Sequence, residues 1–137
     1  ARARQRAGLG VPDRVRDLHR PDPMSNPDPL PHHKLVAYQV AREMLTVVLG
    51  AQIKDARLRD QALRAAKSAC LNIAEAAGRI GTQDRARVFA IARGEVCEVA
   101  AALEIASLAS DCDVSISDAV AKLADRLVGL LTGLIRH

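Results

Sequence analysis

Residues 56–79 read ARLRDQALRAAKSACLNIAEAAGR, and their apolar side chains recur with the period of an α-helix. One side of this predicted helix carries Leu58, Ala62, Ala65, Ala69, Ile73 and Ala76. The opposite side carries Arg57, Asp60, Arg64, Lys67, Glu75 and Arg79. An amphipathic helix of this kind needs packing partners that cover its apolar face.

Three further segments have the same period, so the predicted helices cover residues 34–49, 56–79, 83–110 and 116–136. The apolar set is mostly Ala, Leu, Val and Ile, and the chain has one Tyr, one Phe and no Trp. This composition favours helices over strands. Four helices with short connections pack most simply around a shared core. We therefore predict an all-α fold, an antiparallel up-down-up-down four-helix bundle.

The ends of the helices are predicted from residues that commonly cap them. Thr82 is the predicted N-cap of the third helix, and Ser115 with Asp118 has the spacing of a capping box for the fourth. Gly78 and Gly81 are expected to supply the left-handed backbone with which many helices end.

The first 33 residues differ from the rest. All six prolines lie between Pro12 and Pro31, among several arginines and without a hydrophobic period. We predict a flexible arm over residues 1–33 and a bundle over residues 34–137. Either Met24 is the natural start and the residues before it are extra, or the arm is a basic contact to a partner. Four aspartates cancel most of its charge, which favours a passive arm.

The cysteines and the hydropathy indicate the compartment. No apolar run reaches the roughly 18 residues of a membrane span, and no signal-peptide pattern is present. The three cysteines have no paired spacing, which fits a reducing cytoplasm. Cys70 and Cys97 lie among Ala, Leu and Val and are expected to fill the core. We predict a cytoplasmic protein without a membrane partner.

Several motifs carry a family resemblance. They are Leu35-x-x-Tyr38-Gln39-x-Ala41, Leu58-x-Asp60-Gln61-x-x-Arg64-Ala65-x-x-Ser68, Asn72-Ile73-Ala74-Glu75 and Phe89-x-x-Ala92-Arg93-Gly94-x-x-x-Glu98. From Leu35 to the C-terminus the chain resembles the bacterial four-helix bundle family of the 23S rRNA-intervening sequence proteins. The accessory variability determinant of diversity-generating retroelements belongs to the same group. The chain departs from the family pattern at Ala69, Cys70, Ala76 and Glu95.

The resemblance implies a homo-oligomer, typically a ring of five subunits. For some members it also implies binding to RNA and to a reverse transcriptase. Neither property follows from the composition of the chain.

Five residues of these motifs are candidates for structural or interface roles: Ser68, Asn72, Glu75, Gly94 and Glu98. Asn72 lies beside the apolar stripe, and we expect its amide to bond a neighbouring helix or subunit rather than a ligand. Glu75 and Glu98 could act as an acid–base pair, but ion pairs with Arg64, Arg79 or Arg93 are favoured. A glycine within a helix is costly, so Gly94 predicts a close helix crossing.

The basic residues cluster in the middle of the chain. Between Lys54 and Arg93 there are nine Lys or Arg against four acids, whereas from Gly94 onward there are three against seven. The candidate nucleic-acid contacts are Arg57, Arg59, Arg64, Lys67, Arg79, Arg85, Arg87 and Arg93. This basic portion could bind phosphate, could meet the acidic portion of an adjacent subunit, or could simply be solvated.

The aromatic residues limit the kind of RNA contact. Tyr38 and Phe89 are both predicted to lie in the core, which leaves no platform for stacking unpaired bases. Any contact with RNA is therefore expected to be electrostatic and shape-based.

No catalytic or metal-binding pattern is present. The spacing Glu-x-x-His of helical di-metal sites, the His-Glu-x-x-His motif and glycine-rich phosphate loops are all missing from the sequence. We predict a non-enzymatic protein without cofactor, metal or small-molecule substrate. The first hypothesis is a homo-oligomeric bundle that binds structured RNA or a ribonucleoprotein, such as a retroelement reverse transcriptase complex. The alternative is a protein-level assembly module with no nucleic-acid ligand.

Overall fold

The computed structural model describes residues 30–137, and it confirms the all-α four-helix fold. The four helices are α1 (Val36–Gly50), α2 (Ala56–Gly78), α3 (Thr82–Leu108) and α4 (Val114–Arg136). They are preceded by a single 3-10 turn, Pro31–Lys34. No strand occurs between residues 30 and 137. The predicted arm lies outside the described residues up to position 29.

The first helix begins two residues later than predicted because a turn comes before it. The His33 N–H donates to the Leu30 carbonyl (3.0 Å), and the Leu35 N–H donates to the His32 carbonyl (3.1 Å). Pro31 occupies the first position of the turn, where its missing N–H costs nothing. The predicted end of the arm at residue 33 thus falls within a turn that contacts α1 and α2.

The predicted caps were wrong. Asp113, not Ser115, caps α4, because its carboxylate accepts the backbone N–H of Ser115 (2.9 Å). Thr82 is the first residue of α3, and its N-cap is Gly81. Gly78, the last residue of α2, and Gly81 do not have a left-handed backbone. Ser110 does, with φ 60°, in the connection from α3 to α4.

The helices form a closed ring of neighbours. α2 packs against α1 and α3, and α4 packs against the other sides of the same two helices. The backbones of the diagonal pairs, α1 with α3 and α2 with α4, do not come within 8 Å of each other (Cα–Cα) within residues 30–137. Leu35 at the start of α1 and Leu134 near the end of α4 line one groove, as antiparallel packing requires. This is the neighbour pattern of an up-down-up-down bundle.

The core runs through all four helices as one cluster. α2 contributes mainly small side chains to it: Ala62, Ala65, Ala66, Ala69, Cys70, Ile73 and Ala76. These small residues allow α3 to approach closely, and the α2–α3 contact is the most extensive in the bundle. The bulk comes from Met44, Phe89, Leu103, Leu127 and Leu131, all fully buried. Each such side chain contributes roughly 1.5–3 kcal/mol by leaving water.

The two connections at one end of the bundle are bonded to each other. The backbone N–H of Lys54, between α1 and α2, donates to the carbonyl of Asp111, between α3 and α4 (2.9 Å). This bond joins the α1–α2 hairpin to the α3–α4 hairpin. None of the described helices is long and apolar enough to cross a membrane.

Candidate nucleic-acid interface

The eight basic residues that the sequence suggested are divided among three sides of the bundle. Three of them lie where α2 meets α3 and are held by carboxylates: Arg64, Arg79 and Arg87. Two lie where α3 meets α4: Arg85 and Arg93. The remaining three lie in the first half of α2: Arg57, Arg59 and Lys67. The charge pattern of the sequence therefore does not correspond to one continuous basic face.

Arg64 joins α2 to α3. Its guanidinium lies 2.5 Å from a carboxylate oxygen of Glu98 and 3.4 Å from one of Glu95. The hydrogen bond and charge of Glu98, with the charge of Glu95, raise the pKa of Arg64 above its ordinary value. The predicted ion pair of Glu98 with a nearby arginine is confirmed. Because two carboxylates neutralise it, Arg64 is a weak candidate for a phosphate contact.

A second ion-pair group holds the junction between α2 and α3. Arg79 bonds Glu75 one turn before it and Asp84 in the first turn of α3 (2.7 Å). Asp84 also accepts from Arg87 (2.9 Å). Hydrogen bonds from Arg87 and then from Arg79 lower the pKa of Asp84. The predicted ion pair of Glu75 is confirmed, and sequence reasoning missed Asp84 as the residue shared by both arginines.

The third side lies between α3 and α4. The Arg93 guanidinium donates to the Thr132 hydroxyl (3.0 Å), which itself donates to the carbonyl of Val128 (2.7 Å). Arg85 lines a small groove with Leu134 and His137. Both arginines are therefore separated from the basic residues of α2 by the width of α3.

Several other cations have no carboxylate partner among residues 30–137, and four of these lie on α1 and α2. Arg57 and Lys67 are exposed on α2, and Arg59 donates to the neutral Ile53 carbonyl (3.1 Å). The charge of Arg42 on α1 reaches Cys70 of α2, where it opposes the burial that raises the pKa of this thiol. We call Arg42, Arg57, Arg59 and Lys67 the basic surface.

Three acids, Glu43, Asp55 and Asp60, are close to residues of the basic surface in sequence. Asp55 is occupied as the N-cap of α2, where it accepts the backbone N–H groups of Arg57 (2.9 Å) and Leu58 (3.0 Å). Asp60 is exposed beside the cations. Glu43, next to Arg42 on α1, is also exposed, so the basic surface has four cations against two unoccupied carboxylates. Sequence reasoning missed Arg42, although its place four residues after Tyr38 indicates a shared helix face.

Tyr38 was predicted to lie in the core, and this prediction was wrong. Phe89 is fully buried, but Tyr38 is partly exposed and packs only against the edge of the core. Its ring meets His32 edge-on, with 4.6 Å between centroids, and lies 6.2 Å from His33. Arg42 lies 5.9 Å from the centre of the same ring. We call His32, His33 and Tyr38 the ring cluster.

The predicted roles of Asn72 and Gly94 need correction. The Asn72 amide donates within its own helix, to the carbonyl (2.9 Å) and the hydroxyl (3.1 Å) of Ser68, so in this subunit it bonds no other helix. Gly94 lies in no close crossing, since a Cβ built there has nothing within 4 Å. The packing of a single bundle therefore does not require glycine at this position.

The outward side of α3 is uncharged over most of its length. Ala90, Gly94, Cys97 and Ala101 are exposed and follow one another at helical spacing, and Ile105 and Leu108 continue the line. We call these six residues the α3 stripe. A solvent-facing side of a helix is normally polar, so this stripe has the character of a contact surface.

The described cysteines differ in burial, and they do not belong to a metal-binding cluster within residues 30–137. Cys70 is buried, but Cys97 is exposed, so the predicted core position of Cys97 was wrong. No three His, Cys, Asp or Glu side chains between residues 30 and 137 are grouped closely enough to hold a metal ion.

The motifs and the bundle have a counterpart among known families. The family model for the 23S rRNA-intervening sequence protein matches residues 33–133, a span that contains α1, α2 and α3 and all but the last turn of α4. The chain belongs to this family. The resemblance drawn from the sequence motifs is thereby confirmed, and the match begins at His33, inside the 3-10 turn. No curated protein matches the chain.

Proposed function

We propose that this member of the 23S rRNA-intervening sequence protein family is a non-enzymatic, homo-oligomeric bundle that binds structured RNA. RNA lies on the basic surface, and subunits associate through the α3 stripe. The observation that carries the RNA proposal is the distribution of ion pairs. The α2–α3 arginines are neutralised by Glu75, Asp84, Glu95 and Glu98, whereas the cations of the basic surface have no carboxylate partner within residues 30–137.

This arrangement supports phosphate binding over a head-to-tail contact between basic and acidic portions of adjacent subunits. Three of the seven acids that follow residue 93 are Glu95, Glu98 and Asp113, and all three already bond groups within their own subunit. Phosphates are the ligands that unpaired Arg and Lys side chains bind most readily, with release of counterions.

The test replaces three cations of the basic surface by glutamine: Arg42, Arg57 and Lys67. Arg64 is left in place because its loss would expose Glu95 and Glu98. We expect weaker binding to a labelled structured RNA, measured by fluorescence anisotropy at several salt concentrations. The slope of log affinity against log salt should fall by about 2 to 3, since each lost contact contributes about 0.7–0.9.

The matched control removes the same charge from the other side of the bundle. Lys122, Arg126 and Arg136 on α4 are exposed, and their replacement by glutamine also lowers the net charge by three. This variant should keep most of the affinity and the salt slope. Equal losses in both triple variants would leave the basic surface without a role and refute the proposal.

The alternative function is an assembly module that binds no nucleic acid, and the α3 stripe is the observation in its favour. Small exposed residues on one helix side let a second helix approach closely. Ala101→Glu places a charge in this stripe and should reduce the mass measured by light scattering to that of one chain. Ala121→Glu, on the exposed side of α4, is the control and should leave the mass unchanged.

One measurement distinguishes the RNA-binding function from the assembly function. An oligomer that purifies without nucleic acid and binds no RNA at low salt favours the assembly module. Two finer parts of the proposal rest on the resemblance alone: a ring of five subunits and an accessory role to a retroelement reverse transcriptase. A mass of five chains tests the first, and co-purification with a reverse transcriptase encoded beside the gene tests the second.

A further inference from the structure

The ring cluster reaches the solvent at the start of α1. His32 and Tyr38 are partly exposed and His33 is exposed. The two imidazole rings are 4.2 Å apart between centroids, and Tyr38 meets His32 edge-on. Three aromatic rings in contact therefore form a continuous surface, and Tyr38 also packs against the core.

Arg42 connects the ring cluster to the basic surface. Its guanidinium lies 5.9 Å from the centre of the Tyr38 ring. The same charge acts on Cys70 of α2, and Lys67 lies one turn before Cys70, on a neighbouring position of the helix surface. Rings and cations thus follow one another across the α1–α2 side without an intervening carboxylate contact in the described part of the chain.

The histidine rings are suited to stacking at neutral pH. Burial, and then the charge of His33, lower the pKa of His32, which favours its uncharged form. The Nδ1 atom of His33 accepts the backbone N–H of Leu30 (3.2 Å), which fixes the position of this ring beside His32. Histidine and tyrosine rings are among the side chains on which proteins stack unpaired bases.

We propose that the ring cluster stacks an unpaired nucleobase of an RNA strand whose phosphates lie on the basic surface. This inference rests on the proposed RNA-binding function and names its ligand: single-stranded RNA or an unpaired loop. Bases within a duplex are already stacked on each other and offer no open face. The rings supply the stacking platform that a count of Tyr, Phe and Trp alone did not find.

Tyr38 provides a direct readout of this contact. It is the chain's one tyrosine, and the chain has no tryptophan, so Tyr38 dominates the intrinsic fluorescence. The full chain is titrated with a single-stranded RNA, with an RNA duplex of equal length and with inorganic polyphosphate, each to saturation. We expect the single strand to quench the emission, and the duplex and the polyphosphate to leave it nearly unchanged.

Substitutions test the same contact by affinity. Tyr38→Leu keeps an apolar side chain at the edge of the core but removes the ring. Affinity for the single strand should fall about 10-fold or more, the usual effect of losing one stacked base, while affinity for the duplex is retained. Tyr38→Phe keeps the ring and should bind like the original protein. His33→Ala, at an exposed position outside the core, should shift the preference in the same direction as Tyr38→Leu.

The possible failures are distinguishable. Unchanged Tyr38 emission while the single strand binds overturns the ring-cluster inference and leaves the RNA-binding function standing. The same conclusion follows if Tyr38→Leu, with normal helicity by circular dichroism, weakens both RNAs equally. Absence of binding to either RNA at low salt overturns both proposals.

Discussion

Asp84 forms ion pairs with two arginines from different helices. The pair with Arg79 connects the start of α3 to the end of α2, and it requires an ionised Asp84 carboxylate. Arg79 belongs to the end of α2 and Arg87 to the second turn of α3. Both lower the pKa of Asp84 because they stabilise its carboxylate form. A group whose pKa is lower in the folded state stabilises the fold above its ordinary pKa and loses this effect as the pH falls through the folded value.

We therefore expect Asp84→Asn to reduce stability in a pH-dependent way. The difference in the free energy of unfolding from the original protein should be full above the ordinary pKa of 3.8 and should decline as the pH falls below it. Urea denaturation at several pH values measures this difference. Asp125→Asn, at an exposed position on α4 without an ion pair in the described chain, is the control and should change little at any pH.

Individual side chains were the least predictable part of the site. The ion pairs of Glu75 and Glu98 followed from helical spacing and the nearby arginines. The sequence did not predict which cations stay without a carboxylate partner, because this depends on how α2 and α3 pack against each other. Arg42 was missed for a related reason: it lies outside the basic portion of the sequence, and only the packing of α1 on α2 brings it there.

α3 is the helix with two different apolar sides. Its inner side fills the core with Val88, Phe89, Ala92, Val96, Val99, Ala102, Leu103 and Ala106. Its outer side carries the α3 stripe, so the helix has little amphipathic contrast. A helix that is apolar on both sides is typical of one that is covered on both sides.

Gly94→Ala tests two effects of this glycine separately: its effect on the stability of one subunit and its effect on the association of subunits. In the single bundle the added methyl group meets nothing within 4 Å, so the free energy of unfolding should rise by about 0.5–1 kcal/mol. Denaturation is measured at concentrations where light scattering gives the mass of one chain. At higher concentration the same variant should associate more weakly, because the methyl group enters the subunit contact.

Gly129→Ala is the matched control for this experiment. Gly129 is exposed within α4, and a Cβ there also meets nothing within 4 Å. It should stabilise the subunit by a similar amount and leave association unaffected. Identical association of the two variants would argue against a role of the α3 stripe in assembly.

Helices were predictable as elements, and their bounds to within two residues, whereas their capping residues were not. The period of apolar residues in residues 56–79 depends only on the local sequence, and α2 spans Ala56–Gly78. Caps depend on the path by which the chain enters the helix. Asp113 and Ser115 both have suitable side chains for an N-cap, and the path of the α3–α4 connection places Asp113 in that position.

The bundle as a whole depends on few large side chains. Because α2 buries mostly alanine, the interior volume is filled largely by residues of the other helices, and Phe89 is the largest of them. A cavity at this position would be lined by a core that all four helices share. The neighbour pattern of the helices was predictable from their number and short connections, but the identity of this central residue depended on the packing.

We expect Phe89→Ala to lower the free energy of unfolding by about 3–5 kcal/mol, a large part of the total stability of a small domain. Phe89→Leu should cost less because it leaves a smaller cavity. Tyr38→Leu, at the edge of the core, should cost least of the three. Urea denaturation followed by circular dichroism measures the series. A Phe89→Ala variant as stable as Tyr38→Leu would contradict this view of the core.

The hydrogen bond between the Lys54 N–H and the Asp111 carbonyl has a consequence for how subunits could exchange parts. A dimer that swaps its α3–α4 hairpin must pull that hairpin away from α1 and α2, and this step breaks the bond between the two connections. The hinge of such an exchange is the turn between α2 and α3 at the opposite end of the molecule, where Arg79 and Asp84 form an ion pair. Acidification that protonates Asp84 removes this ion pair and so weakens the hinge.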